Sequence, residues 1–473
     1  MRYLSTRDAR AAPSTWSFAE VLLAGLAEDG GLYVPDRMPG LAAEIPGFAA
    51  LPYAEIAARI VALFAGDAFP PGELQKLTAA AYGQFRHAAV APLVQLDESL
   101  WLLELFHGPT LAFKDLALQL VGLMFDAVLA QRGEYVTVIG ATSGDTGSAA
   151  IEACRDREAI DIFVLYPHQR ISEVQRRQMT TVEAANAHAI AIEGSFDDCQ
   201  DLVKALFTDA GLRHELNLSA VNSINWARIA AQTVYYVAAA VALGAPARAV
   251  SFSVPTGNFG NVYAGHVARR MGLPIDRLVI GTNRNDILAR YFASGRMTLA
   301  AVEPSLSPSM DIQVSSNFER LLFELKGHDG FAVGEAMGKF RRTGSLPQDD
   351  QAWPAARRLF SAHKVDDTKT MQTIAQTYAR SGALIDPHTA VAVAAARAEI
   401  AAHERGAPMI ALGCAHPAKF PDAVERATGV RPGLPPPLAD LLERHERIVV
   451  LPNEIGTVSR FVRAHARRAG ATA

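Results

Sequence analysis

The chain has 473 residues, half of them hydrophobic, and is too long for a single compact core. Its 45 Lys and Arg residues are mixed with 49 Asp and Glu residues, so the formal net charge is only -4. This balance offers no basic surface for nucleic acid and no polybasic patch for a membrane, and a small metabolite is the expected partner. The three cysteines, Cys154, Cys199 and Cys414, are too far apart for a disulfide framework or a zinc knuckle. We therefore expect no metal site and a reducing, cytoplasmic location.

The first 95 residues form a mixed segment. Helical periodicity over residues 17–26 is followed by a turn at Gly30 and Gly31 and by short helices up to Tyr82. Residues 1–18 lack the continuous apolar core of a secretory signal. We predict an N-terminal segment, residues 1–95, that precedes the catalytic core.

From residue 96 the pattern changes to strand, turn and helix, repeated along the chain. Strands are predicted over residues 100–105, 135–139 and 249–254, followed by helices from Lys114, Thr146 and Asn261. Short apolar runs with glycine-rich turns and longer amphipathic stretches are typical of a doubly wound, largely parallel α/β sheet. Ligands of such sheets bind beyond the carboxyl ends of the strands. The prediction is an α/β core over residues 96–430, in two doubly wound lobes separated by a cleft.

Three further stretches complete the predicted organisation. Residues 229–247 are nearly uncharged but mostly alanine, which favours a buried core helix over a membrane span. Residues 330–380 are richer in charge and helical in pattern, and we expect them to be a helical excursion from the core. The proline-rich run 431–437 predicts a linker to a C-terminal segment, residues 431–473, with a strand at 448–451.

Lys114 is the first candidate for chemistry. The chain has only eight lysines, so most of its cationic side chains are arginine. Lys114 follows the apolar run Leu111-Ala112-Phe113 and begins a helix. Burial and the positive end of the helix dipole both lower a lysine pKa, and a neutral amine is what imine chemistry with an aldehyde requires. The alternative is an ordinary lysine whose ammonium reaches solvent from a helix start. We expect no other amine in a comparable setting.

Two glycine-rich turns accompany Lys114. The turn at residues 254–261, VPTGNFGN, lies between a strand and a helix, where backbone N–H groups can approach a phosphate. The turn at residues 140–147, GATSGDTG, repeats this arrangement with added hydroxyls and suits a carboxylate or a second phosphate. Neither matches GxGxxG or a Walker loop. Tight glycine turns are common, and a phosphatase-like site without the lysine stays open, but the combination indicates a phosphorylated carbonyl cofactor and an anionic substrate.

Two more clusters are ambiguous on their own. Residues 222–228, NSINWAR, end in a guanidinium that can bind an anion bidentately, yet they equally suit a polar loop with an N-cap before a helix. Residues 413–420, GCAHPAKF, would let the backbone approach a flat ligand, or they form an ordinary strand end and turn.

Several stretches share the pattern of one known family, namely residues 3–7, 25–35, 107–115, 257–261 and 307–320. Over nearly the whole chain they resemble threonine synthase of the longer type found in fungi and many bacteria. That family belongs to the tryptophan-synthase-β-like, fold type II class of pyridoxal-phosphate enzymes. The resemblance does not imply a particular chemical role for residues 307–320.

The resemblance implies specific binding residues. For pyridoxal 5'-phosphate these are Lys114, as a Schiff base, with Gly257, Asn258, Phe259, Gly260 and Asn261 on the phosphate and Cys414 at the pyridine nitrogen. For the substrate they are Thr142, Ser143 and Thr146 on the carboxylate, and Asn222, Ser223 and Arg228 on the phosphate. Cys414 stands where the family often has threonine. Asp145 stands where more distant members have asparagine and would repel a carboxylate, so we expect backbone N–H groups and hydroxyls to bind the substrate there.

The implied activity is conversion of O-phospho-L-homoserine and water to L-threonine and phosphate. Lys114 would be the acid and base throughout, in a monomer or homodimer. The same residues would serve a phospho-lyase that releases a 2-keto acid, so product analysis separates the two. A non-catalytic homologue that binds the cofactor or a partner protein is a third interpretation. The intact Lys114 and both anion-binding turns argue against it.

Overall fold

The structure is a computed structural model that describes residues 1–220, 223–346, 348–349, 351–403 and 406–467. Its strands are β1 (Tyr3–Ser5), β2 (Tyr33–Pro35), β3 (Leu93–Gln95), β4 (Leu100–Glu104), β5 (Val136–Ala141), β6 (Ile160–Pro167), β7 (Ala187–Glu193), β8 (Leu218–Ser219), β9 (Val250–Pro255), β10 (Ile275–Thr282), β11 (Met297–Thr298), β12 (Ser345–Leu346), β13 (Phe360–Lys364), β14 (Met409–Gly413) and β15 (Val449–Pro452). Its helices are α1 (Phe18–Ala24), α2 (Tyr53–Ala65), α3 (Glu73–Tyr82), α4 (Lys114–Arg132), α5 (Asp145–Cys154), α6 (Glu173–Thr180), α7 (Phe196–Thr208), α8 (Ala210–Glu215), α9 (Trp226–Ala242), α10 (Gly260–Arg270), α11 (Ile287–Ser294), α12 (Phe318–Leu325), α13 (Gly330–Thr343), α14 (Ala352–Arg357), α15 (Asp367–Ser381), α16 (Pro387–Ala402), α17 (Pro421–Thr428) and α18 (Ile455–His465). Short 3-10 turns span Ile45–Ala50, Pro308–Met310, Pro417–Lys419 and Pro436–Leu438.

The larger sheet has the strand order β13-β10-β9-β14-β4-β3. Its strands are parallel except for β3, which pairs antiparallel with β4 at one edge. All residues of the central strands β9 and β14 are buried. Such continuous apolar runs, without alternation, are expected when helices cover both faces of a parallel sheet.

The smaller sheet has the order β15-β7-β6-β5-β8, and each strand pairs in parallel with its neighbours. Every residue of its central strand β6 is buried. Helix α4 leaves the larger sheet and packs against α5 of the smaller one and against α9. The two sheets are the cores of two lobes, and the predicted doubly wound α/β fold is confirmed.

The N-terminal segment is mixed, as predicted. Strands β1 and β2 form an antiparallel pair, and α1 begins with a capping box between Ser17 and Glu20. The segment is anchored on the larger lobe, because Arg7 forms an ion pair with Glu319 at 2.6 Å. Helices α1 and α2 also pack against α9, so this segment completes the apolar surroundings of the core.

Helix α9 is the buried helix predicted from residues 229–247. Asn225 caps it by accepting a hydrogen bond from the Ala227 N–H at 3.0 Å, and nearly every residue from Trp226 to Val241 is buried. It packs against α2, α4 and α10. Among the described residues, no helix is both long and apolar enough to cross a membrane.

Residues 330–380, predicted to be a helical excursion, are helical over α13, α14 and α15 but also contain one strand of the larger sheet. Strand β13 lies in this stretch and pairs in parallel with β10, with Ala362 opposite Ile280. It is an edge strand whose central residues are only partly buried, so its sequence lacks the apolar run that marks a central strand. Helix α15 then packs on α16 against the same sheet.

The C-terminal segment returns to the smaller lobe. Strand β15 pairs with β7, α18 packs against α7, and Arg467 Nε lies 2.6 Å from the buried Asp161 carboxylate. The proline-rich run before it contains the short turn Pro436–Leu438. The division into segments 1–95, 96–430 and 431–473 stays a prediction.

Candidate active site

The loops after β4, β5, β9 and β14 open into one cavity of about 2220 Å³ between the lobes. Carboxyl ends of parallel strands share one edge of a sheet, which is why loops distant in sequence meet here. The predicted residues that line the cavity are Lys114, Thr142, Ser143, Thr146, Ser223, Arg228, Gly257, Asn258, Phe259, Gly260, Asn261 and Cys414. Asn222 lies outside the described residues.

Lys114 begins α4 and is 7% exposed. Burial lowers the pKa of its amine, although the nearby Asp145 carboxylate works in the opposite direction. Lys114 Nζ lies 3.5 Å from Asp145 Oδ2 and 4.9 Å from the centre of the Phe113 ring. The burial of Lys114 therefore agrees with the lowered amine pKa that was expected from the sequence.

Backbone hydrogen bonds hold the Lys114 loop against the loop after β14. The Phe113 N–H donates to Cys414 O at 2.8 Å, and the His416 N–H donates to Leu111 O at 3.0 Å. Leu111 adopts a positive φ of 63°, a conformation that a leucine keeps only when its surroundings enforce it. Lys114 and Cys414 are thus brought together by main-chain pairing.

The turn after β5 uses its hydroxyls in two ways. Thr142 Oγ1 accepts hydrogen bonds from the N–H groups of Gly144 at 2.9 Å and Gly147 at 2.8 Å. Thr142 therefore braces the turn, while Ser143 and Thr146 are partly exposed along the cavity. Gly144 has φ 131°, which is accessible to glycine but not to residues with a Cβ.

Asp145, at the start of α5, is a buried carboxylate with two cationic neighbours. Its Oδ1 lies 2.9 Å from Lys419 Nζ and accepts from Gln175 Nε2 at 2.9 Å. Burial opposes its ionisation, but the charges of Lys419 and Lys114 hold the pKa of Asp145 well below its usual range. The repulsion expected between Asp145 and a bound carboxylate is therefore offset by cations that the sequence analysis did not consider.

Lys419 is a second buried lysine in the cavity, and its sequence pattern did not single it out. It ends the turn after β14, its side chain is fully buried, and its Nζ contacts Thr110 O at 2.7 Å and Gln178 Oε1 at 2.9 Å in addition to Asp145. The scarcity of lysines that pointed to Lys114 applied to Lys419 as well. Its partners lie 241 and 309 residues away in sequence, so no local pattern revealed its burial.

The loop Gly257–Asn261 presents its backbone to the cavity. A Cβ at Gly257 would lie 3.2 Å from both Met310 Cα and Ser309 O, so this position is closely packed. Phe259 has φ 65°, and its ring packs on Phe318 at a centre distance of 5.4 Å. The N–H groups of the first turn of α10 lack intrahelical acceptors and suit an anion.

Asn261 and Cys414 belong to a buried polar network. Asn261 Oδ1 accepts hydrogen bonds from Tyr235 at 2.6 Å and Tyr236 at 3.0 Å, and its Nδ2 lies 3.9 Å from Cys414 Sγ. The side chain of Asn261 is therefore engaged with these neighbours, and its backbone carbonyl accepts from Tyr236 at 2.9 Å, so only its N–H could serve the predicted phosphate loop. Burial raises the pKa of the Cys414 thiol, which keeps it neutral.

Arg228 projects from the first turn of α9 into the cavity. It is 4% exposed, and its Nε and Nη1 atoms find no hydrogen-bond partner among the described residues. Burial lowers its pKa to about 10, so the guanidinium stays charged at neutral pH. Buried donors without partners are costly and imply an anionic ligand. Asn225 confirms the capping interpretation of this cluster, and the binding role of Arg228 stays a prediction.

Residues 315–320, here called the bracing segment, give a physical role to part of the stretch that had none. Ser315 Oγ donates to Gly257 O, and Asn317 Nδ2 donates to Asn258 O at 3.1 Å and to Ser223 O at 3.2 Å. The segment therefore fixes the glycine loop relative to the loop that carries Ser223.

His388, absent from the sequence analysis, also lines the cavity. Its Nδ1 lies 2.7 Å from Asp386 Oδ2, and its Nε2 accepts from the Ser309 N–H at 3.3 Å. Ser309 Oγ donates in turn to Asp145 Oδ2 at 3.4 Å. This chain of contacts links the smaller lobe to α16.

Comparison with known proteins gives consistent matches. Family models described as "Threonine synthase N terminus", "Pyridoxal-phosphate dependent enzyme" and "Threonine synthase, C-terminal" match residues 2–82, 85–339 and 389–462. A threonine synthase of Pseudomonas aeruginosa is 56% identical over 470 residues, which cover 99% of each chain. The pyridoxal-phosphate-bound threonine synthase from Brucella melitensis superposes with a TM-score of 0.95 at 51% identity, over 99% of this chain and 100% of that one. The yeast threonine synthase gives 0.93 at 38% identity, over 98% of each chain.

The two-lobed α/β fold, with a buried lysine between two anion-binding turns, defines a pyridoxal-phosphate-dependent enzyme of fold type II. Within that class, the chain belongs to the threonine synthase family.

The cavity fits the cofactor of this class. Lys114 offers an amine of lowered pKa for the aldehyde, and the start of α10 offers backbone donors for the phosphate. The closely packed backbone at Gly257 leaves no room for a side chain beside those donors. The neutral thiol of Cys414 suits an unprotonated ring nitrogen.

Proposed function

We propose that this enzyme converts O-phospho-L-homoserine and water to L-threonine and phosphate. The proposal rests on one observation. The Lys114 amine lines the same cavity as Arg228, whose Nε and Nη1 donors have no partner among the described residues. A lysine of lowered pKa provides proton transfer at the carbons, and a buried guanidinium binds a leaving phosphate.

The carboxylate of the substrate is assigned to the turn after β5. Ser143 and Thr146 offer hydroxyls at the cavity, and the N-terminus of α5 offers backbone N–H groups. Thr142 keeps the turn in this shape through its two hydrogen bonds to backbone N–H groups. This contact fixes the Cα end of the substrate.

The phosphate of the substrate is assigned to Arg228, Ser223 and Asn222. Arg228 holds the charge of the leaving group, and Ser223 lines the cavity beside it. Binding both ends of the substrate orients the carbons between them towards Lys114.

Lys114 Nζ would remove and return the protons at Cα and Cβ. When bound, pyridoxal phosphate supplies the electron sink for the negative charge that develops at these carbons. We assign its covalent attachment to Lys114, its phosphate to residues 257–261 and its ring nitrogen to Cys414. The water that enters at Cβ must be admitted only after the phosphate has left.

We further propose a cytoplasmic enzyme that is a monomer or homodimer. Cys154, Cys199 and Cys414 are all buried free thiols, which suits a reducing compartment.

Product analysis tests the function. Purified holoenzyme is incubated with O-phospho-L-homoserine in oxygen-18-labelled water, with unphosphorylated L-homoserine as the control substrate. Equal amounts of phosphate and threonine, with the label in the threonine hydroxyl, are expected. Phosphate with a 2-keto acid would identify a phospho-lyase instead, and the absence of any product would favour a non-catalytic homologue.

A further inference from the structure

Two buried lysines meet at one carboxylate in the cavity. Lys419 Nζ lies 2.9 Å from Asp145 Oδ1, and Lys114 Nζ lies 3.5 Å from Asp145 Oδ2. Asp145 belongs to the smaller lobe, whereas both lysines follow strands of the larger sheet. The Asp145 carboxylate therefore lies between the two amines, one on each of its oxygens.

The surroundings of Lys419 supply one acceptor for each N–H donor of an ammonium. An ammonium has three N–H donors, and three oxygens surround this one, on Thr110, Gln178 and Asp145, at 2.7 to 2.9 Å. Gln178 Nε2 donates to Thr110 O at 3.0 Å, which orients its Oε1 towards the lysine. With its side chain fully buried, a neutral Lys419 would leave one of these oxygens without a donor.

The charged and titratable groups around the cluster come from several elements. Those facing Lys114 are Asp145, Lys419, Cys414 and Arg228, those facing Asp145 are the two lysines and His388, and Asp115 faces Lys419. Behind His388 stands Asp386, and the Asp145 carboxylate also accepts hydrogen bonds from Gln175 and Ser309. Asp145 is the only carboxylate within ion-pair distance of Lys114 in the described part of the chain.

We propose that Lys419 is a positioning residue whose ammonium shares the Asp145 carboxylate with Lys114 and offsets part of its charge, so that the Lys419–Asp145 pair sets the pH range in which the Lys114 nitrogen gains and loses its proton. The inference rests on the proposed function only in that Lys114 carries the cofactor. It does not depend on which product is released.

We expect the pH midpoint at which the Lys114 nitrogen loses its proton to shift in opposite directions in two variants. Lys419→Met removes a like charge from the surroundings of Lys114 and leaves the Asp145 carboxylate to Lys114 alone, so the Lys114 nitrogen should keep its proton to higher pH. Asp145→Asn removes the attracting charge and leaves the repelling one, so the proton should be lost at lower pH. Each shift should be roughly one pH unit or more. The double variant should return towards the wild-type midpoint.

The experiment titrates the absorbance of the bound cofactor against pH in resting holoenzyme, without substrate. The acidic limb of kcat/KM against pH is the second readout and should move in the same directions. Lys419→Arg, which keeps the charge, should hold the wild-type midpoint even if turnover falls. Lys76→Met, which removes a lysine that is 80% exposed and does not line the cavity, is the matched control and should leave the titration unchanged.

Opposite shifts that cancel in the double variant support the proposal. Shifts of the same sign, or no shift, would overturn it. If Lys419→Met does not fold, Asp145→Asn decides: a lower midpoint supports the inference, and an unchanged or higher one contradicts it. Because the titration needs no substrate, an enzyme that releases a product other than threonine would still give these shifts, so the two proposals fail separately.

Discussion

Lys114 and Lys419 show that residue type and burial do not define a role on their own. Both side chains are buried in one cavity, but Lys419 is surrounded by three close oxygens and Lys114 has one carboxylate at 3.5 Å. Close oxygens stabilise an ammonium, and an apolar setting favours the neutral amine. The number of acceptors therefore separates a structural cation from an amine that can react.

Replacing Lys114 with Ala should abolish both turnover and covalent attachment of the cofactor. Loss of a positioned acid and base alone costs roughly 10²- to 10⁴-fold in rate, and loss of the attachment adds to this. Borohydride reduction followed by mass spectrometry of peptides measures the attachment. Lys369→Ala, on a solvated helix start, is the control that should trap cofactor normally. Cofactor trapped on Lys419 in the Lys114 variant would show that the second amine can substitute, against the assignment.

Replacing Arg228 with Ala should weaken phosphohomoserine binding far more than homoserine binding. The lost charge-assisted contact is worth about 1.5 to 3 kcal/mol, or roughly 10- to 150-fold in affinity. Competition binding of the two ligands measures the difference. Arg397 is the matched control, because its Nε and Nη1 atoms are also buried and have no partner in the described part of the chain, but it does not line the cavity. Equal weakening of both ligands would make Arg228 a structural residue.

Among the elements, the bracing segment connects the two loops that are assigned to phosphate groups. Asn317 is fully buried and ties the carbonyl of Asn258 to that of Ser223, and it accepts a hydrogen bond from Arg320. Arg320 continues the connection by donating to Tyr33 O at 3.0 Å in the N-terminal segment. The positions of the 257–261 loop and of the loop that carries Ser223 therefore depend on contacts outside the cavity.

Asn317→Ala should lower stability by about 1 to 3 kcal/mol and weaken binding of both cofactor and phosphohomoserine, because buried hydrogen bonds to both loops are lost. Urea unfolding and ligand titrations measure the two effects. Asn186→Ala is the matched control: Asn186 is also buried and donates to Cys154 O at 2.7 Å and Ile160 O at 2.8 Å, away from the cavity. It should lose comparable stability while binding both ligands normally. Unimpaired binding by the Asn317 variant would show that the glycine loop needs no brace.

At the scale of the whole molecule, stability should depend on pH through the partly buried His188. Burial lowers the pKa of His188 from 6.5 to about 4, with His465 and Arg447 adding to the effect. Its ring stacks on Phe163 at a centre distance of 4.6 Å, and its Nε2 has no hydrogen-bond partner among the described residues. The unfolded chain binds this proton near pH 6.5 and the folded chain only near pH 4. The stabilising contribution is therefore complete above pH 6.5 and is lost as the pH falls towards 4.

His188→Gln should flatten this pH dependence. After allowance for the partial exposure of the ring, the fall in the free energy of unfolding between pH 7 and pH 4.5 should shrink by about 1 kcal/mol. Urea unfolding at the two pH values measures it. His445→Gln changes an exposed histidine and should leave the fall intact. If the free energy of unfolding of the His188 variant fell as much between pH 7 and pH 4.5 as that of the wild type, His188 would be excluded as the source of the pH dependence.

Sequence by itself determined the fold class of this protein and singled out Lys114 as a candidate for chemistry, because both depend on local patterns. Strand, glycine turn and helix recur at short range, and Lys114 directly follows an apolar run at a helix start. Only the tertiary structure decided the charges around that lysine, because Lys419, Asp145 and His388 come from three distant segments. It also decided the place of β13, since an edge strand buries too little to need an apolar sequence. Periodicity in the sequence reflects which residues of one helix or strand are buried. The partners of a buried charge lie on loops that come together at the ends of separate strands, and no local pattern reveals them.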